Sequence, residues 1–112
     1  MKTVYVASPL RARGKRTQQD NEKYAEALCR DVLAQGNAPF APHLLYTRML
    51  DDAQPADRKL GMDAGLSWLE IVDEVWVATA FGISEGMRAE VAFAKSIGKT
   101  VLYVTGPLWS EP

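Results

Sequence analysis

The segment Ser84-Glu85-Gly86-Met87-Arg88-Ala89-Glu90 carries the clearest chemical signal in the chain. It follows the apolar run Val75-Trp76-Val77-Ala78, which has the character of a buried strand, and a short loop from Thr79 to Ile83. Ser84 has the side chain of an N-cap, so a helix is predicted from there to about Ser96. The free backbone N–H groups at such a helix start favour an anion. At helical spacing Gly86, Glu90, Phe93 and Ile97 fall on one line and Met87, Val91 and Ala94 on the adjoining one, while Arg88 and Lys95 take the opposite face. Glu90 therefore stands inside an apolar stripe. Burying an unpaired carboxylate is costly, so it requires a partner, a water-lined cleft or a chemical task. The plainer account is a glutamate paired with an arginine across a subunit contact.

The elements that must hold this helix alternate between strand and helix. Thr3 to Ala7 is the first predicted strand, followed by a loop from Ser8 to Thr17 that contains Arg11, Arg13, Lys15 and Arg16. Asn21 to Gln35 has a helical stripe through Tyr24, Leu28 and Val32 that Gly36 stops. Residues 38–42 form a short strand whose two prolines suit a sheet edge. Leu44 to Leu50 has the pattern of a helical turn, Asp51 to Ala56 that of a polar loop, and Asp57 to Ile71 that of a second helix, weakened by Gly61 and Gly65. The strand at 75–78, the helix carrying Glu90 and a last strand from Thr100 to Val104 complete the order, with Gly106 to Pro112 as a tail. Such alternation predicts parallel strands, right-handed crossovers and a small three-layer α/β domain over residues 1–105. Ligands of such sheets collect at the C-terminal strand ends, which brings together the Ser8 loop, the segment around His43 and the Phe81 to Gly86 loop.

A chain of 112 residues can bury one core, and oligomerisation would help it cover more surface. A net charge of -1 gives no overall attraction to nucleic acid or to an anionic membrane. The single cysteine, Cys29, cannot make an internal disulfide and reads as a small core residue in a reducing compartment. Met1-Lys2 leads directly into a short strand with no long apolar region, so a cytoplasmic location is expected.

Val4-Tyr5-Val6-Ala7-Ser8-Pro9, Asp73-Glu74-Val75-Trp76-Val77 and Ser84-x-Gly86-Met87-x-x-Glu90-x-x-x-Ala94, in that order, resemble the nucleoside 2-deoxyribosyltransferase-like superfamily. Within it the chain looks closest to small uncharacterised members and to nucleoside 5'-monophosphate N-glycosidases. The resemblance implies a flavodoxin-like fold with about four parallel strands in the order 2-1-3-4. It also implies that Glu90 attacks C1' of the sugar and that the Tyr5 hydroxyl orients it. A carboxylate suits that task, since it can capture an oxocarbenium-like centre as a glycosyl-enzyme that water or another base resolves. Where the transferases acting on free nucleosides have an aspartate, this chain has Ser84, which with the N–H groups of Gly86 and Met87 would bind a 5'-phosphate rather than repel it. Ser8 and Arg11 match residues that line the phosphate and sugar region of the hydrolases, whereas Arg88 stands where those hydrolases tend to have glycine.

Other candidates keep two readings. Arg13, Lys15 and Arg16 match nothing specific and read first as a solvated loop, since no aromatics interleave with them as a nucleic-acid patch would require; the loop could also close over a nucleotide. His43 would need carboxylates such as Asp51 and Asp52 to hold a metal, and a capping or substrate-edge role suits it better, so no metal or cofactor is expected. Asp63 falls about where the transferases place the acid that protonates the departing base, but its spacing to Asp73 differs from theirs, and a solvated helix-surface aspartate is the other reading. Asp73 reads as a structural cap; Trp68 and Trp76 read as core or subunit contacts, with base stacking as the other possibility. The leading expectation is an N-glycosidase or deoxyribosyltransferase acting on a (deoxy)nucleoside 5'-monophosphate, in a homodimer or larger homo-oligomer. The competing readings are an NAD-type dinucleotide glycohydrolase and a non-enzymatic nucleotide sensor.

Overall fold

Two valine-rich runs, Thr3–Ala7 (β1) and Glu74–Ala78 (β3), lie side by side at the centre of a parallel sheet. Ala38–Phe40 (β2) flanks β1 and Thr100–Val104 (β4) flanks β3, giving the order β2-β1-β3-β4. The computed structural model describes residues 1–106. Of the expected tail only Gly106 falls within them, where its carbonyl accepts a hydrogen bond from the Tyr24 hydroxyl at 3.1 Å.

Successive strand side chains point to opposite faces, and this pleat sorts the core into two layers. Val4, Val6, Trp76 and Ala78 pack on one face against Tyr24, Leu28 and Val32 of helix α1 (Gln18–Ala34). Tyr5, Ala7, Val75 and Val77 face the other way, onto Leu69 of α3 (Pro55–Leu69) and Met87, Val91 and Ala94 of α4 (Glu85–Ser96). The result is the three-layer α/β architecture expected from the alternating pattern. Between β2 and α3 the chain makes a short helix, α2 (Pro42–Leu45), and a 3-10 turn at Tyr46–Arg48.

Element boundaries shift where capping overrides periodicity. Helix α1 begins three residues before the expected Asn21, because Thr17 and Asp20 form a capping box: Thr17 Oγ1 accepts the Asp20 N–H at 3.0 Å and Asp20 accepts the Thr17 N–H at 2.8 Å. Strand β2 ends two residues early, since Pro42 occupies the first turn of α2; Pro55 likewise starts α3 two residues before Asp57. At the N-terminal ends of the strands Asp73 acts as the structural cap expected of it. It accepts from the Thr3 N–H at 2.7 Å and the Thr3 hydroxyl at 3.2 Å, and these bonds hold its carboxyl below the usual range.

The start of α1 also fixes the arginine-rich loop. Asn21, buried in its first turn, donates to the Leu10 and Arg11 carbonyls at 3.0 and 2.9 Å and accepts from Arg16 Nε at 2.7 Å. Arg13 and Arg16 close a tight backbone bridge of their own. The loop backbone is thus anchored, while residues 11–15 remain exposed as the solvated reading expected. Thr17→Ala, which removes the cap, is expected to lower unfolding free energy by about 1 kcal/mol in urea titrations. An unchanged midpoint would mean that the loop contacts hold α1 without the cap.

Candidate active site

Tyr5 and Glu90 meet on the α3/α4 side of the sheet, brought together by the pleat of β1 and the apolar stripe of α4. The Tyr5 hydroxyl donates to Glu90 Oε2, and the two residues are 1% and 4% exposed. Burial raises the Glu90 carboxyl from its ordinary 4.5 to about 7, opposed by the Tyr5 hydrogen bond. Tyr5 is pushed well above its ordinary value by burial and then by the Glu90 charge, so it remains a proton donor. Glu74 is a second buried carboxylate, but it is tied to Trp76 Nε1 at 3.3 Å and Lys2 Nζ at 3.5 Å at the opposite strand ends. Glu90, in contrast, opens on a cavity of about 350 Å³ at the C-terminal strand ends.

The start of α4 forms another wall of that cavity. Ser84 is the N-cap, and its Oγ accepts the Met87 N–H at 3.2 Å. This corrects one expectation, because the Met87 N–H is already used by the cap, although its buried side chain is among those lining the cavity. An anion here would meet the Ser84 hydroxyl hydrogen and the N–H groups of Glu85 and Gly86 instead. Gly82, at φ 80°, makes the left-handed turn that leads the chain into the cap. Glu90 lies six residues, about 9 Å of helix, beyond Ser84 on the same wall.

The loop after Ser8 also lines the cavity. Arg11 lines it and pairs with Asp52 at 2.8 Å. Arg13 and Arg16 also line it, and Arg16 lies over the Phe81 ring at 4.5 Å from its centroid. Their place on the cavity agrees with the reading that brought this loop to the ligand end of the sheet, whereas the contact of Arg16 with Phe81, between segments far apart in the chain, had no signal in the sequence. Ser8 is fully buried rather than on the cavity wall, and among the described residues its Oγ has no hydrogen-bond partner. His43 does line the cavity; burial lowers its basicity, opposed by a hydrogen bond to the Ser8 backbone and by the Asp52 charge.

Of the two readings of Asp63, its surroundings fit the solvated helix-surface aspartate and not the acid beside the base. It points away from the cavity on an exposed face of α3 and pairs with Lys59 at 2.7 Å, four residues earlier. The face of α3 that meets the cavity carries Asp57, Arg58, Gly61, Met62 and Gly65, one helical face apart from Asp63. Trp68 is half-exposed; it stacks on Phe40 at 4.6 Å and donates to the Tyr46 hydroxyl at 2.8 Å, while Trp76 is core. Among the described residues no cluster of three or more His, Cys, Asp or Glu side chains is placed to hold a metal ion, and no helix is long and apolar enough to cross a membrane.

Four parallel strands in the order 2-1-3-4 with helices on both faces make a three-layer α/β fold. It matches the solved 2-deoxyribosyltransferase of the psychrotolerant bacterium Bacillus psychrosaccharolyticus with a TM-score of 0.62 at 19% identity, covering 90% of this chain and 70% of that one. Residues 2–104 match a domain family of unknown function (DUF7768), and the chain belongs to that family. No curated protein sequence matches the chain.

Glu90 makes stability depend on pH in a direction opposite to that of most carboxylates. With its value raised to about 7, the folded state holds the proton more tightly than the unfolded chain does. Its contribution is complete below about pH 4.5 and is lost as pH rises through 7, a loss of roughly 3 kcal/mol. Glu90→Gln cannot ionise. It is therefore expected to exceed wild type by roughly 2–3 kcal/mol at pH 8 in urea unfolding, with the two converging near pH 4. A wild type as stable as the variant at pH 8 would show that Glu90 ionises without penalty.

Proposed function

We propose that the protein cleaves the N-glycosidic bond of a (deoxy)nucleoside 5'-monophosphate through a glutamyl-glycosyl intermediate. The observation that carries this reading is a buried glutamate, held by a tyrosine hydroxyl and ionising near neutrality, on the same cavity wall as a helix N-terminus. Glu90 Oε forms a bond to C1' while the C1'–N bond breaks and its electron pair leaves with the base, which takes a proton from water. Water then attacks C1', restoring the Glu90 carboxylate and releasing the sugar 5'-phosphate and a proton; two displacements retain the configuration. A second base in place of water makes the same site a transferase. Tyr5 keeps Glu90 oriented, and its hydrogen bond favours the charged form needed for attack.

The phosphate end is the start of α4, with the Ser84 hydroxyl and the Glu85 and Gly86 N–H groups as donors. Arg11 and Arg16, which line the same cavity, are its proposed counter-charges. His43, largely neutral, edges the sugar or base. The cavity volume, at about 350 Å³, is near the small end for ligand sites and favours a mononucleotide over a dinucleotide. The active form is proposed to be a homodimer or larger homo-oligomer, with Leu60 and Ile71 of α3, 60% and 68% exposed, among the apolar side chains an interface would cover. Sedimentation velocity should show a dimer or larger species, and a monomer at micromolar concentration refutes this part.

Purified protein incubated with ribo- and deoxyribonucleoside monophosphates, free nucleosides and NAD should release free base from a 5'-monophosphate. The rate should rise with an ionisation near pH 7 and fall at least roughly a thousandfold in Glu90→Ala. Ser84→Asp should cut kcat/KM for the monophosphate by roughly 10- to 100-fold and spare free nucleosides. If wild type and Glu90→Ala release equally little base from every substrate, while nucleotide still binds, the site is a sensor and not a catalyst.

A further inference from the structure

Helix α3 crosses the Tyr5 hydroxyl at Gly65. A Cβ at that position would lie 2.9 Å from Tyr5 Oη, inside the distance at which a methyl group and an oxygen can rest. The backbone of Gly65 does not itself require glycine. The positive-φ glycines are Gly14, Gly36, Gly82 and Gly98, and Gly65 has ordinary helical geometry, where alanine is the better helix former. What demands glycine is space, and the atom that claims it is the one that donates to Glu90.

The other glycines facing the cavity differ. A Cβ at Gly61 would meet only the movable end of the Leu50 side chain at 3.3 Å, and one at Gly86 would touch the tip of Met62 at 3.7 Å, an ordinary contact. Tyr5 has no comparable freedom. It is fully buried in the α3/α4 core layer, its ring lies 5.9 Å from that of Phe40, and β1 is held between β2 and β3.

We propose that Gly65 is a positioning residue: by lacking a side chain, it lets α3 close over the Tyr5 hydroxyl and keeps that hydroxyl aimed at Glu90. The functional meaning of this rests on Glu90 being the nucleophile, but the geometry is testable without a substrate. Burial and the Tyr5 hydrogen bond are the two influences on the Glu90 carboxyl, so loss of that bond has a definite direction.

The test compares wild type, Gly65→Ala, Tyr5→Phe, the double variant and Gly61→Ala, each with 13C-labelled glutamate, with the Glu90 signal assigned by its disappearance in Glu90→Gln. The side-chain carboxyl of Glu90 is titrated by NMR, and Tm is measured alongside. In Gly65→Ala the midpoint should move above that of wild type, in the direction of Tyr5→Phe, and Gly65→Ala should add no further shift in the Phe background. Gly61→Ala should leave the midpoint in place. Gly65→Ala should lower Tm in wild type yet not in Tyr5→Phe, whose ring leaves room for the methyl group. If Gly65→Ala is too unstable to titrate, the Tm comparison between the two backgrounds decides. An unmoved midpoint, or an equal Tm loss in both backgrounds, overturns the proposal. Neither readout uses a nucleotide, so a negative base-release assay would refute the proposed reaction while leaving the role of Gly65 intact.

Discussion

The hydrogen bond from Tyr5 to Glu90 is the constraint on which the rest of the site depends, because it joins β1 to α4 at the cavity wall, where both partners are almost fully buried. A carboxylate so buried is costly in its charged form, and one hydroxyl only partly offsets that cost. The position is thus destabilising at neutral pH and useful for chemistry for the same reason: little solvent competes for the oxygen lone pairs. The neighbours make this arrangement possible. The pleat turns Tyr5 toward α4, Gly65 clears the space above its hydroxyl, and the apolar stripe of α4 sinks Glu90 to meet it.

The opposite end of the cavity obeys a different electrostatic rule. There the helix start, the Ser84 hydroxyl and the arginines of the Ser8 loop supply donors, beside the carboxylates of Asp52, Asp57 and Glu85 on the same lining. The loop holds its arginines in place through Asn21, which ties it to α1, and through the stacking of Arg16 on Phe81. Arg11 is balanced by Asp52 and Arg16 is packed against a ring, so part of the ordering of these long side chains precedes any ligand. One cavity thus combines a buried carboxylate with a helix N-terminus, separated by less than two turns of a single helix.

The parallel strands, the edge position of β2 and the span of α4 were legible in the sequence because each follows from local rules: strand–helix alternation, proline placement and an N-cap before an apolar stripe; the order of the strands came from the resemblance. Glu90 stood out because a carboxylate among apolar neighbours breaks the helical pattern, and the resemblance supplied Tyr5 as its partner. Asp63 went the other way. Its place on α3 suggested chemistry, but a small rotation about a helix axis separates a cavity face from a solvent face, and α3 has a weak stripe interrupted by Gly61 and Gly65.

The chain by itself determined which segments become strands and helices, which of them bury, and that one glutamate sits where charge is costly, since these follow from residue type and period. Only the tertiary structure decided which donors of the α4 start remain free, that Ser8 is buried while Arg13 and Arg16 reach the cavity, and why a mid-helix glycine stands at position 65. Those outcomes rest on distances between segments remote in sequence. A contact of 2.9 Å between positions 65 and 5 leaves no trace in the periodicity of either element.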